Sequence, residues 1–134
     1  MSLTFIHDFQ NRIYTTLVND INLMSLVKRV YIGTSQDAQG PFVLINIVKA
    51  EDLSIHKMAQ YEIDFQISVY AQDLNYGTLA IIADYCVKNL SFMNKLFSGY
   101  VIDGLKANSI IFDKAKDLVL NRMVVDCKAF IKRK

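Results

Sequence analysis

The residues best suited to chemistry are acids. Glu62 and Asp64 stand two apart in a stretch that alternates polar and apolar side chains, so both share one strand face. Paired carboxylates are the raw material of general acid–base catalysis. On a half-exposed strand they are also the ordinary makeup of a solvated face, and that is how they are read. Glu51 and Asp52 sit in a polar stretch and read as solvent-facing rather than as cation ligands. His7 and His56 are far apart, with no cysteine beside either, and form no metal set. Cys86 and Cys127 are too few for a disulfide framework or a zinc site; each falls on an apolar stripe and reads as a small buried hydrophobe that stays reduced. Tyr61, Tyr70 and Tyr76 would suit base stacking, but Glu62 and Asp64 among them repel phosphate. The chain holds no GxxxxGK[ST], GxGxxG or GxSxG pattern. With no nucleophile–base pair and no ligand set, the sequence predicts a chain that is not an enzyme and uses no cofactor or metal.

Composition narrows the remaining classes. The 134 residues are 52% hydrophobic and 21% charged, with one proline and five glycines, which excludes disorder and fibrous repeats. A net charge of +2 is too near balance to argue for sequence-specific nucleic acid or an anionic membrane. No apolar run approaches the ~18 residues of a membrane span. The opening Met1-Ser2-Leu3-Thr4 lacks the basic and apolar regions of a signal peptide. A single domain over residues 1–134 is expected.

The elements that position these residues follow from periodicity. Apolar residues at Phe5, Phe9, Ile13 and Leu17 predict a helix over 4–19, and a short helical turn follows from Ile21 to Val27. Val30–Gly33 reads as a short strand. Phe42–Val48, apolar on both faces, reads as a strand covered on both sides. Lys49–Gln60 reads as a long polar loop. Tyr61–Tyr70 alternates cleanly and predicts a strand antiparallel to Phe42–Val48. Leu79, Ile82, Cys86 and Leu90 mark a second long helix over 75–91, with Asp73 or Asn75 as cap. Ser91–Tyr100 reads as a connection with a further helical turn. Two closing strands, Val101–Phe112 with a bulge at Gly104 and Leu118–Ile131, flank a charged turn at Asp113–Asp117. The expected class is α+β: a mainly antiparallel sheet with two long helices packed on one face.

Four segments carry a family resemblance. They are the apolar turn Ile21–Val27 leading into Val30–Gly33, the entry Gly40-Pro41-Phe42-Val43-Leu44-Ile45, the strand Phe65–Tyr70 running into the helix Tyr76–Leu90, and the closing strand pair. In this order they resemble the tail completion proteins of long-tailed bacteriophages, also called head–tail joining or tail terminator proteins, with relatives in prophages and gene transfer agents. The resemblance implies a non-catalytic structural subunit that closes into a ring, typically a hexamer, ending the tail tube and joining it to the head connector. Its partners would be further copies of itself, the tail tube and the head connector. It would be made in bacterial cytoplasm and reside at the tail–head junction of the particle. Ring closure needs two different faces on each subunit. The predicted loop and ribbon supply one, mobile in the free protein: Leu53, Ile55 and Met58 as apolar anchors, with Glu62, Asp64 and Gln66 on the adjoining strand face. The basic end, Lys132, Arg133 and Lys134, is a secondary contact. The alternative is a small non-viral interaction module that pairs through its sheet edge.

Overall fold

The computed structural model describes residues 4–33, 40–55, 58–72, 76–114 and 120–134. In chain order the elements are α1 (Thr4–Val18), α2 (Ile21–Met24), β1 (Arg29–Ile32), β2 (Phe42–Asp52), β3 (Gln60–Gln72), α3 (Tyr76–Ser91), β4 (Leu96–Phe97), β5 (Tyr100–Lys114) and β6 (Leu120–Arg133). The strands form one sheet in the order β1-β2-β3-β6-β5-β4. The α+β class holds. The sheet is mixed, which corrects the mainly antiparallel sheet expected from the sequence: β1 runs parallel to β2, while β2–β3, β3–β6, β6–β5 and β5–β4 are antiparallel. Side-chain alternation fixes which face a residue takes, not the direction in which its strand meets a neighbour.

The inward face of β3 is Tyr61, Ile63, Phe65, Ile67, Val69 and Ala71, all buried. Phe5, Phe9, Ile13 and Leu17 make the buried stripe of α1, one residue per turn. Leu79, Ile82, Cys86 and Leu90 do the same for α3, and both stripes join the β3 and β6 residues in one apolar cluster. Phe9 meets Phe65 edge-to-face at 5.5 Å, and Phe5 meets Tyr61 at 4.5 Å. Burying a ring such as Phe65 contributes about 2–3 kcal/mol. Asp20 caps α2, its side chain accepting from the Asn22 amide. Lys88 lies in the last turn of α3, where the helix dipole favours a cation.

Several expected details differ. The Ser91–Tyr100 connection holds the strand β4 instead of a helical turn. Ser98 (φ 47°) and Gly99 (φ 82°) join β4 to β5, and two successive positive φ values suit a two-residue hairpin turn. The expected Lys49–Gln60 loop is strand at both ends, since β2 continues to Asp52 and β3 begins at Gln60. β2 is covered on both faces only at its start, where Phe42 is buried away from the helices by the rings of Tyr31 at 5.5 Å and Tyr70 at 4.8 Å; further along, Asn46 and Val48 are exposed. The expected bulge is present, with the β5–β6 register shifting between Ile102 and Gly104. His56, the caps Asp73 and Asn75, and the centre of the Asp113–Asp117 turn lie outside the described residues.

Candidate functional site

The β2–β3 ribbon extends beyond the helices. Asp52 pairs with Tyr61, and hydrogen bonds continue outward from Leu53 N to Gln60 O at 2.8 Å and between Ile55 and Met58 at 3.0 and 3.2 Å. Leaving the core, the strands lose the apolar alternation that marks them in sequence, which is why the ribbon reads there as a loop. Asp52 accepts from the Ser54 amide at 2.9 Å; hydrogen bonding from Ser54 holds its carboxyl below the usual range. The three anchors expected from the sequence are exposed near the ribbon end: Leu53 at 38%, Ile55 at 64% and Met58 at 59%. Apolar side chains in such a position have no core to enter in the isolated chain.

Glu62, Asp64 and Gln66 stand together on the sheet face opposite the helices, as their alternation requires, and each is bound to β6. Lys128 Nζ lies 2.5 Å from Glu62 and 3.7 Å from Asp64. Hydrogen bonding to Glu62 is the main cause that raises the Lys128 pKa. The lysine is a counter-ion to both carboxylates, contacting one oxygen of each. Gln66 Nε2 donates to Asp126 Oδ1 at 2.8 Å, and Ser109 Oγ donates to Asp126 Oδ2 at 3.0 Å. Glu51 and Glu62 stand directly opposite across β2–β3. Their repulsion is offset by Lys128 on one side and by Lys49, 3.6 Å from Glu51, on the other.

The basic end converges on the same end of the sheet. Arg133 N donates to Ala59 O at 3.0 Å, which brings the end of β6 beside the ribbon. Lys132 pairs with Asp103 at 3.3 Å. It also shares a small cleft with Leu53, Gln60 and Tyr61. The structure therefore brings Lys132 and Arg133 beside the ribbon that carries Leu53, Ile55 and Met58, while the Lys134 amide donates to Gly99 O at 2.9 Å in the β4–β5 turn; Glu62, Asp64 and Gln66 lie on the open sheet face.

Sequence reasoning missed a second apolar surface. Ile110 is 55% exposed and Ile111 47% exposed on β5, where the strand runs past the helices. Their signal was present in sequence as the apolar run Ile110-Ile111-Phe112 at the end of an expected strand. Cys86 and Cys127 are buried and free, as expected, and burial pushes each thiol up to about 12. Among the described residues no three histidine, cysteine or acidic side chains gather to hold a metal ion. Among the described residues no helix is long and apolar enough to cross a membrane.

No family model matches the chain, and no curated protein matches it in sequence. Solved structures do match. A chain of the virion of a native gene transfer agent particle superposes with a TM-score of 0.80 at 19% identity, covering 98% of this chain and 99% of that one. The gp17 protein of bacteriophage SPP1 superposes with a TM-score of 0.61 at 18% identity, covering 90% of this chain and 86% of that one. The resemblance drawn from the sequence, to proteins of phages and gene transfer agents, thus holds at the level of the fold.

Proposed function

We propose that this chain is a non-catalytic structural subunit of a phage or phage-like particle, closing into a hexameric ring that ends the tail tube and joins it to the head connector. The observation that carries this reading is the end-to-end agreement in fold with a gene transfer agent virion chain. The geometry supports it. The acidic pair has its own counter-ion in Lys128. Three apolar side chains near the ribbon end, Leu53, Ile55 and Met58, are exposed. In the ring, Leu53, Ile55 and Met58 seat against a neighbouring subunit or the tail tube, flanked by Glu62, Asp64 and Gln66. Lys132, Arg133 and Lys134 make the secondary contact. Ring closure of this kind joins two different faces of each copy.

The test is light scattering of concentrated protein together with electron microscopy of particles made with and without the gene. Six-subunit rings, and tails that fail to join heads when the gene is deleted, are the expected results. A chain that stays monomeric, and particles that complete normally without it, would overturn the reading.

A further inference from the structure

We infer that the ring is held by strand pairing: the β5 edge of one subunit adds antiparallel to the β1 edge of the next, so that the sheet continues from copy to copy. This rests on the ring reading above and names the surfaces that close it.

The two open edges belong to the ends of one set of rows. Among the described residues no strand pairs with β5 beyond Val101 on the side away from β6, and none pairs with β1 on the side away from β2. The registers trace each row across the sheet. Ile32 leads through Ile45, Ile67 and Val125 to Ile110; Tyr31 leads through Leu44, Ser68 and Val124 to Ile111. In the same way Val30 and Arg29 end level with Phe112 and Asp113. As the β5 number rises by one the β1 number falls by one, which is the register of an antiparallel pair. β5 also runs opposite to β1 within the sheet, so a rotation about an axis along the strands sets the next copy's β1 antiparallel to β5 without reversing any subunit.

The chemistry at the two edges matches. Ile110 would stand beside Ile32 of the neighbour on the helix side of the sheet, and Ile111 beside Tyr31 on the other side. Exposed edges are ordinarily blunted by lysine, proline or bulges. β5 follows that rule only in its first half, which carries Lys106 and register shifts between Ile102 and Gly104 and between Ala107 and Ser109. From Ser109 to Phe112 the edge is regular, without charge or proline, and Ile110 and Ile111 are about half exposed. Edges of this kind take another strand, and a cyclic interface needs two unlike, complementary patches on each copy.

The experiment uses the full chain carrying Tyr31→Cys and Ile111→Cys together. Residues opposite one another across antiparallel strands lie about 4.5–5.5 Å apart at Cα, within reach of a disulfide. The native thiols are buried, which shields them from a mild oxidant. Oxidation at high concentration is expected to give a ladder of covalent multimers ending at the ring size. A mixture of the two single variants should give covalent dimers only, and neither single variant alone should cross-link. Cross-linking of Ile111→Cys alone would show a two-fold β5–β5 contact and overturn the inference. So would wild-type rings whose double variant does not cross-link. A second variant, Ile110→Lys with Ile111→Lys, should lower ring formation at least tenfold while leaving the monomer folded, because both side chains are already exposed; rings that persist in it would also overturn the pairing. A wild-type chain that never assembles would instead remove the ring reading itself.

Discussion

The side-chain amide of Asn89 on α3 donates to the carboxylate of Asp20, the residue that caps α2. The other oxygen of Asp20 accepts from the Asn22 amide at 3.0 Å, and Asn89 also reaches the Tyr85 carbonyl at 2.7 Å. One carboxylate thus fixes the break between α1 and α2 and fastens it to the end of α3. Asp20→Ala is expected to cost about 1–3 kcal/mol, combining a lost cap with a part-buried amide left short of an acceptor. Urea denaturation checks this. Asn89→Ala should cost less, and the double variant should cost less than the sum of the two, since each single change already removes the shared bond.

The two thiols should be invisible to a thiol reagent in native protein at neutral pH and both should react after denaturation. Burial raises each from its ordinary value of 9.0 to about 12. The unfolded chain therefore loses these protons first as the pH rises, so stability is fully present below about 9 and falls between about 9 and 12. Chemical denaturation across that window should show the decline, and Cys86→Ala should reduce its slope. Cys86→Ser should cost about 1–3 kcal/mol by placing a hydroxyl in an apolar site.

Replacing Leu53, Ile55 and Met58 together by serine should change the unfolding free energy by no more than about 0.5 kcal/mol per site, because exposed side chains own little of the core. The same variant should lose ring formation and particle completion. Electron microscopy of tails made with it is the check; normal heads joined to normal tails would move the interface away from the ribbon.

Lys128→Met should destabilise the chain by leaving Glu62 and Asp64 side by side without a counter-ion. The partners of Lys128 raise its pKa, so its contribution is fully present below the ordinary lysine value and is lost as the pH climbs through the folded one. Because the site faces solvent, the difference between variant and wild type should shrink in molar salt. A difference insensitive to salt would show that the lysine stem, not its charge, is what matters.

Where a segment lies against the core, its structure was legible in sequence. The alternation of Tyr61–Tyr70 and the four-residue spacing of Phe5, Phe9, Ile13 and Leu17 are direct imprints of one buried face. Where a strand leaves the core, the imprint fades. Lys49–Asp52 pair as strand with no apolar period, since of the four only Ala50 packs against the core. The parallel β1–β2 pairing was not legible, because four residues of alternating burial carry no direction. β4 is two residues held by a turn, too short for any period. Of the site, the residue types were legible and their company was not: nothing near Glu62 in sequence announces Lys128, which reaches it only because β6 lies beside β3.

The hydrogen bonds that run out along the ribbon, Leu53 to Gln60 and Ile55 to Met58, bear on how tightly its end can be held. Ordering a backbone residue costs about 1–2 kcal/mol. A floppy segment meets that cost at the moment of docking and weakens its own grip. Here the described backbone is hydrogen-bonded as far as Ile55 and Met58 before any partner arrives, so docking through Leu53, Ile55 and Met58 has less backbone left to order. A glycine-rich replacement of the same length would carry comparable reach with a looser hold, released faster by its partner.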